Sequence, residues 1–181
     1  SLLRDAGLDY TLLDDTHFVY AGLDREELRG YYLTEDQGRT LAVFPIDKGL
    51  RYLIPFNEPS AAIDYLRQLA ERSPGSAVTL GDDGEKFGMW PGTYKWVYEE
   101  RYLERLFALL EENAGWIKMR TMGEYREQFP PSGRIYLPTA SYDEMMEWAL
   151  PAAVQADFEK LLGELKKSKK QDRLSRYLRG G

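Results

Sequence analysis

The run Ser76-Ala77-Val78-Thr79-Leu80-Gly81-Asp82-Asp83-Gly84-Glu85-Lys86-Phe87-Gly88 decides how this chain is read. Ser76 to Leu80 has the short apolar character of a strand, and it passes directly into two aspartates and a glycine. Asp and Gly favour turns for conformational reasons, so the bland reading is a tight turn. The other reading is a reactive site, because parallel α/β folds carry their chemistry at the carboxyl ends of strands. Glu85 and Trp90 follow closely and favour the second.

Working outward, the upstream sequence supplies the rest of an α/β pattern. Ser1 to Ala6 is helix-like, with Gly7 where a C-cap glycine belongs. Tyr10 to Leu13 is a short apolar strand that ends in Asp14-Asp15-Thr16-His17. Asp24 to Arg29 reads as a short helix. Thr40 to Ile46 reads as a buried strand, and Leu50 to Phe56 is expected to pair with it or extend it. Ala61 to Arg72 puts Ile63, Leu66, Leu69 and Ala70 on one helical face. Alternating strands and helices imply a parallel sheet or barrel, with Asp14-Asp15 and Asp82-Asp83 both at strand ends.

Downstream of Trp90 the pattern becomes helical. Glu99 to Glu112 carries Leu103, Leu106, Phe107 and Leu110 on one stripe. Ile117 to Thr121 reads as a strand, and Gly123 to Phe129 as a helix stopped by Pro130-Pro131. Ile135 to Leu137 is extended. Ser141-Tyr142-Asp143-Glu144 has capping-box spacing, which starts a helix through Trp148. Pro151 opens a last helix whose apolar face is Val154, Phe158, Leu161, Leu162 and Leu165. Its basic end, Lys166 to Lys170, suits a helix C-terminus and a solvated face.

Bulk properties exclude several classes. A net charge of −6 argues against a nucleic-acid partner. No run approaches the ~20 apolar residues of a membrane helix. The lack of cysteine removes disulfides and thiolate metal sites and fits a reducing, cytoplasmic compartment. His17 is the single histidine, which excludes a two-histidine zinc site and argues against a self-contained Ser-His-Asp triad. No phosphate-cradling motif is present, and no cofactor is expected. Thirteen tyrosines, seven phenylalanines and four tryptophans serve either core packing or stacking on sugar faces. From the residues alone, two chemistries stay open at Asp82, Asp83 and Glu85. One is glycosidic cleavage, which needs paired carboxyl groups and aromatic surfaces. The other is a magnesium site of hard oxygen ligands.

The stretch Asp82-Asp83-Gly84-Glu85-Lys86-Phe87-Gly88-Met89-Trp90-Pro91-Gly92-Thr93-Tyr94 resembles a signature of glycoside hydrolase family 57, in its 4-α-glucanotransferase and α-amylase branch. Asp14-Asp15-Thr16-His17-Phe18 resembles an earlier segment of that family. So do Ala42 to Asp47 and Leu50 to Phe56. Ile135 to Tyr142, Glu147 to Pro151 and Arg179-Gly180-Gly181 resemble later ones, all in family order. One departure is Gly81, which stands where relatives often carry histidine.

The resemblance implies the C-terminal part of an incomplete (β/α)7 barrel followed by a helical region. Residues 1–92 would supply the last barrel strands, and residues 93–181 a helical part packed on them. It implies a retaining reaction on α-1,4-glucans, with Asp83 as acid/base and an α-glucan oligosaccharide as substrate. Trp90, His17, Glu85 and Trp148 are the expected substrate contacts, and no metal is expected. Asp83 would need its pKa raised by burial or by a neighbouring carboxylate to act as an acid near neutral pH. The family's glutamate nucleophile is expected ahead of Ser1, so these residues alone should not turn over maltooligosaccharide. A glucan-binding homologue without catalysis is the alternative of another class, and a homodimer of the full-length protein is one possible assembly.

Overall fold

In a computed structural model, residues 2–167 are described. The expected Arg179-Gly180-Gly181 segment lies outside them, as do Lys169 and Lys170 of the basic helix end. The first elements are α1 (Leu2–Asp5), β1 (Tyr10–Asp14) and α2 (Asp15–Tyr20). A hairpin of β2 (Tyr32–Asp36) and β3 (Arg39–Ile46) follows. Then come α3 (Lys48–Leu53), α4 (Pro59–Arg72), α5 (Tyr102–Glu112), α6 (Met122–Gln128), β4 (Gly133–Arg134), α7 (Asp143–Trp148) and α8 (Ala152–Lys167).

The sheet order is β1-β3-β2-β4. β1 runs parallel to β3, and β4 parallel to β2, while β2 and β3 are antiparallel. As an inner strand of this sheet, β3 is apolar on both faces. Val43 packs on one side with Phe18, Leu28, Tyr32 and Ile135. Ala42 and Phe44 pack on the other with Tyr31, where Tyr10 and Leu12 join them. A third core lies between helices, with Leu50 and Ile54 against Ala62, Tyr102 and Leu106. The chain is therefore α/β, as expected, with parallel pairs dominating one mixed sheet.

Four local readings need correction. Leu50 to Phe56 is not a strand. Asp47 caps a helix there, its Oδ1 accepting from Leu50 N–H at 2.9 Å, and the apolar residues bury one helical face rather than alternating. Ser76 to Leu80 makes only one parallel bridge, Ile46 to Thr79. It crosses the end of β3, where a Cβ on Gly81 would meet Ile46 at 3.0 Å and Leu12 at 3.2 Å. Ile117 to Thr121 stays unpaired, since Lys118, Met119 and Arg120 are exposed and Thr121 serves as the N-cap of α6. Finally, β2 is a strand that the sequence pattern does not announce. It folds back through Gln37 and Gly38, whose φ values of 52° and 77° suit a two-residue hairpin turn.

Candidate active site

The sheet delivers three carboxylates to one end. Asp14 closes β1, and Asp82 and Asp83 follow the Thr79 bridge at the end of β3. One guanidinium, on Arg51 of α3, collects all three. Its nitrogens lie 3.6 Å from Asp14 Oδ2, 3.6 Å from Asp82 Oδ1 and 3.2 Å from Asp83 Oδ2. Burial disfavours the charge of Arg51, but the neighbouring aspartates, Asp83 foremost, outweigh that and hold it protonated. The Tyr142 ring lies 5.8 Å from this guanidinium, which brings the segment before α7 to the site.

The two aspartates of the run have different environments. The Asp82 side chain is buried, with Lys86 Nζ 2.7 Å from its Oδ1. The same oxygen accepts from the Asp83 amide at 2.9 Å. Asp83 leaves 48% of its side chain accessible, which suits a group that must meet a ligand. Around Lys86 Nζ, Phe56 and Trp90 stack with centroids 5.9 Å apart and an interplanar angle of 24°. Both rings are partly exposed and form an apolar ledge of the kind that carries sugar faces. Trp96 donates its indole N–H to the Pro55 carbonyl, which anchors the loop that bears Phe56.

The other expected residues stand on separate elements. His17 sits in α2 with Nδ1 3.1 Å from the Asp14 carbonyl, a local contact that fixes its ring. Glu85 is exposed on the short 3-10 turn Gly84–Phe87. Trp148 ends α7 and is 65% exposed. A metal centre on Asp82, Asp83 and Glu85 does not suit this geometry, since Lys86 and Arg51 already neutralise the aspartates. Among the described residues, no group of three or more His, Cys, Asp or Glu could hold a metal ion. No described helix is long and apolar enough to cross a membrane.

Sequence reading misses Arg51, Lys86 and Phe56 as site residues. Arg51 and Phe56 fall in a segment that reads as a strand, and a lone lysine in a glycine-rich turn looks solvated. Asp15 is grouped with Asp14 by sequence but turns away from it. It lines a cavity of about 230 Å³ with Arg25, Asp47, Tyr65 and Arg72, which none of Arg51, Asp82, Asp83, Lys86 and Trp90 lines.

Known proteins resemble this chain in sequence and fold. The model of "Glycosyl hydrolase family 57" matches residues 1–138. An α-amylase 1 of Dictyoglomus thermophilum is 47% identical over 99% of this chain and 26% of its own length. A 4-α-glucanotransferase of Thermococcus litoralis is 46% identical over 99% of this chain and 27% of its own length. The crystal structure of a 4-α-glucanotransferase from Thermococcus litoralis superposes with a TM-score of 0.91 at 46% identity, over 99% of this chain and 28% of that one. The chain thus spans about a quarter of the length of the curated relatives it matches.

Proposed function

The chain belongs to glycosyl hydrolase family 57, and from that premise we propose that it forms part of a retaining 4-α-glucanotransferase acting on α-1,4-glucans. Asp83 is the acid/base. It protonates the leaving glycosidic oxygen and then deprotonates the acceptor hydroxyl. A carboxylate nucleophile from outside these 181 residues completes the pair, standing ~5–5.5 Å away as retention requires. Residues 1–92 form the barrel portion and 93–181 the helical portion, of which residues 1 and 168–181 lie outside the described ones. Trp90 and Phe56 carry the sugar, with His17, Glu85 and Trp148 as further contacts. A cytoplasmic location fits a chain without cysteine.

One observation carries this reading. Asp83 is an accessible carboxylate at the sheet's carboxyl end, and its neighbour Asp82 is joined through Lys86 to a stacked aromatic pair. Transfer rather than hydrolysis depends on keeping water from the glycosyl-enzyme. The second reading, an α-amylase, draws on the 47% identical relative of that name.

The test uses the full-length protein encoded by the parent gene, incubated with maltotetraose. Longer and shorter oligosaccharides without new reducing ends support the transferase, and a rise in reducing ends supports the amylase. Asp83→Asn should abolish either. Wild-type turnover in Asp83→Asn removes the assignment, and no turnover in the unsubstituted protein favours a glucan-binding homologue.

A further inference from the structure

Lys86 is 3% exposed, although ammonium groups are strongly hydrated and costly to bury unless every hydrogen has a partner. Here two of the three hydrogens have oxygen acceptors, and aromatic faces surround the third. Nζ lies 2.7 Å from Asp82 Oδ1 and donates to the Arg51 carbonyl at 2.8 Å. Three rings enclose the rest, with Phe56, Tyr52 and Trp90 centroids 5.3, 5.7 and 5.8 Å from the nitrogen. A cation within about 6 Å of ring faces is attracted by their quadrupoles, more so when desolvated.

This arrangement joins two parts of the site. Asp82 Oδ1 accepts from both Lys86 Nζ and the Asp83 amide, so the orientation of Asp82 fixes the backbone that carries Asp83. Two of the three rings around Nζ are the stacked pair Phe56 and Trp90. A salt bridge built only for stability has no need of both neighbours. Asp82 Oδ2 is buried and has no hydrogen-bond partner within the described structure, so the carboxylate is held through its other oxygen. Without Lys86, that oxygen would keep only Arg51, at 3.6 Å, as its cation.

We propose that Lys86 is a positioning residue for glucan cleavage, acting through Asp82 to hold Asp83 in register with the Phe56–Trp90 ledge. The inference rests on the reading of Asp83 as acid/base. Lys86 moves no proton in the reaction. It sets where Asp83 stands relative to the sugar.

The experiment uses the full-length enzyme with maltotetraose. Lys86→Ala should lower kcat about 10- to 100-fold, the scale of losses from small misplacement, with a smaller change in KM. The substitution removes the equivalent of propylammonium. Added n-propylammonium should therefore restore kcat in Lys86→Ala but not in Asp82→Asn/Lys86→Ala, where the carboxylate that it serves is gone. Lost packing alone gives no such dependence on Asp82. If Lys86→Ala does not fold, Asp82→Asn/Lys86→Met, which neutralises both charges, replaces it, and a kcat near wild type there overturns the proposal. A Lys86→Ala kcat within about twofold of wild type, or equal rescue in both backgrounds, also overturns it. If Asp83→Asn abolishes turnover alongside such a result, the positioning role falls and the assignment of Asp83 stands. Wild-type turnover in Asp83→Asn ends both.

Discussion

The Tyr65 hydroxyl lies 3.0 and 3.2 Å from the two carboxylate oxygens of Asp47, tying α4 to the N-cap of α3. Its ring also closes on Gly49, where a Cβ would stand 2.4 Å from the ring. Burial, with the charge and hydrogen bond of Asp47, pushes Tyr65 up to about 12, so it remains a donor through the neutral range. This clasp holds the helix that presents Arg51. Gly49→Ala should destabilise the protein by about 1–3 kcal/mol through overpacking, and Tyr65→Phe by about 1 kcal/mol through the lost hydrogen bond. Urea unfolding measures both. Gly49→Ala combined with Tyr65→Ala should cost less than the sum of the two, and strict additivity would show that the ring and the glycine do not meet.

Asp15 sets a pH dependence of opposite sign to most carboxylates. Burial pushes it up to about 6, against the pull of Arg25, and Asp14 adds to the rise. Its Oδ1 is buried without a hydrogen-bond partner. A folded-state pKa above the ordinary 3.8 means that the folded protein binds the proton more tightly than the unfolded chain. The contribution to stability is therefore complete below pH 3.8 and is lost as pH rises towards 6. Asp15→Asn should stabilise the protein at pH 7 by about 1–3 kcal/mol, with the gain shrinking toward pH 4. Unfolding free energies across that range test it, and a gain independent of pH would contradict the charge argument.

The stacked pair makes a prediction about substrate. Trp90→Ala should raise KM for maltotetraose in the full-length enzyme about 3- to 10-fold, matching the usual worth of an aromatic contact. Phe56→Ala should do the same, since it stacks on the Trp90 ring at a centroid distance of 5.9 Å. Trp90→Phe should recover most of the loss. If Trp90→Ala leaves KM unchanged, the ledge does not carry sugar.

Much of this is legible in the chain because it is local. β1, β3 and α4 declare themselves by apolar runs and periodicity, whereas the Thr121–Glu124 capping box that starts α6 falls where the sequence reads as the end of a strand. Asp82-Asp83 stands out because it follows an apolar run and carries a family signature. The non-local parts are not legible. Nothing in Leu50 to Phe56 says that Asp47 will cap a helix, and with that helix misread, Arg51 cannot be placed among three aspartates. Lys86 illustrates the same limit. Its environment comes largely from Tyr52, Phe56 and the Arg51 carbonyl, which reach it only after the chain folds.

Arg51 offers the sharpest test of the site's electrostatics. Burial alone would raise Asp14, but the hydrogen bond from Thr16 and the charges of Lys48 and Arg51 outweigh it and leave Asp14 below the ordinary carboxylate range. A lowered folded pKa stabilises the fold above the unfolded value of 3.8, and that contribution is lost as pH falls through the lowered one. Arg51→Met removes the guanidinium from Asp14, Asp82 and Asp83 together, leaving the buried Asp82 with Lys86 as its cation. The cost at pH 7 should be about 1–3 kcal/mol, below that of a fully buried pair because Arg51 is partly solvated and two contacts are long. It should shrink toward pH 3 as Asp14 begins to take up its proton. Arg51→Lys should recover little, since an ammonium cannot fork across three carboxylates as a guanidinium does. Urea titrations at both pH values decide the matter, because a cost that does not change with pH would assign Arg51 a packing role and leave the three aspartates held by something else.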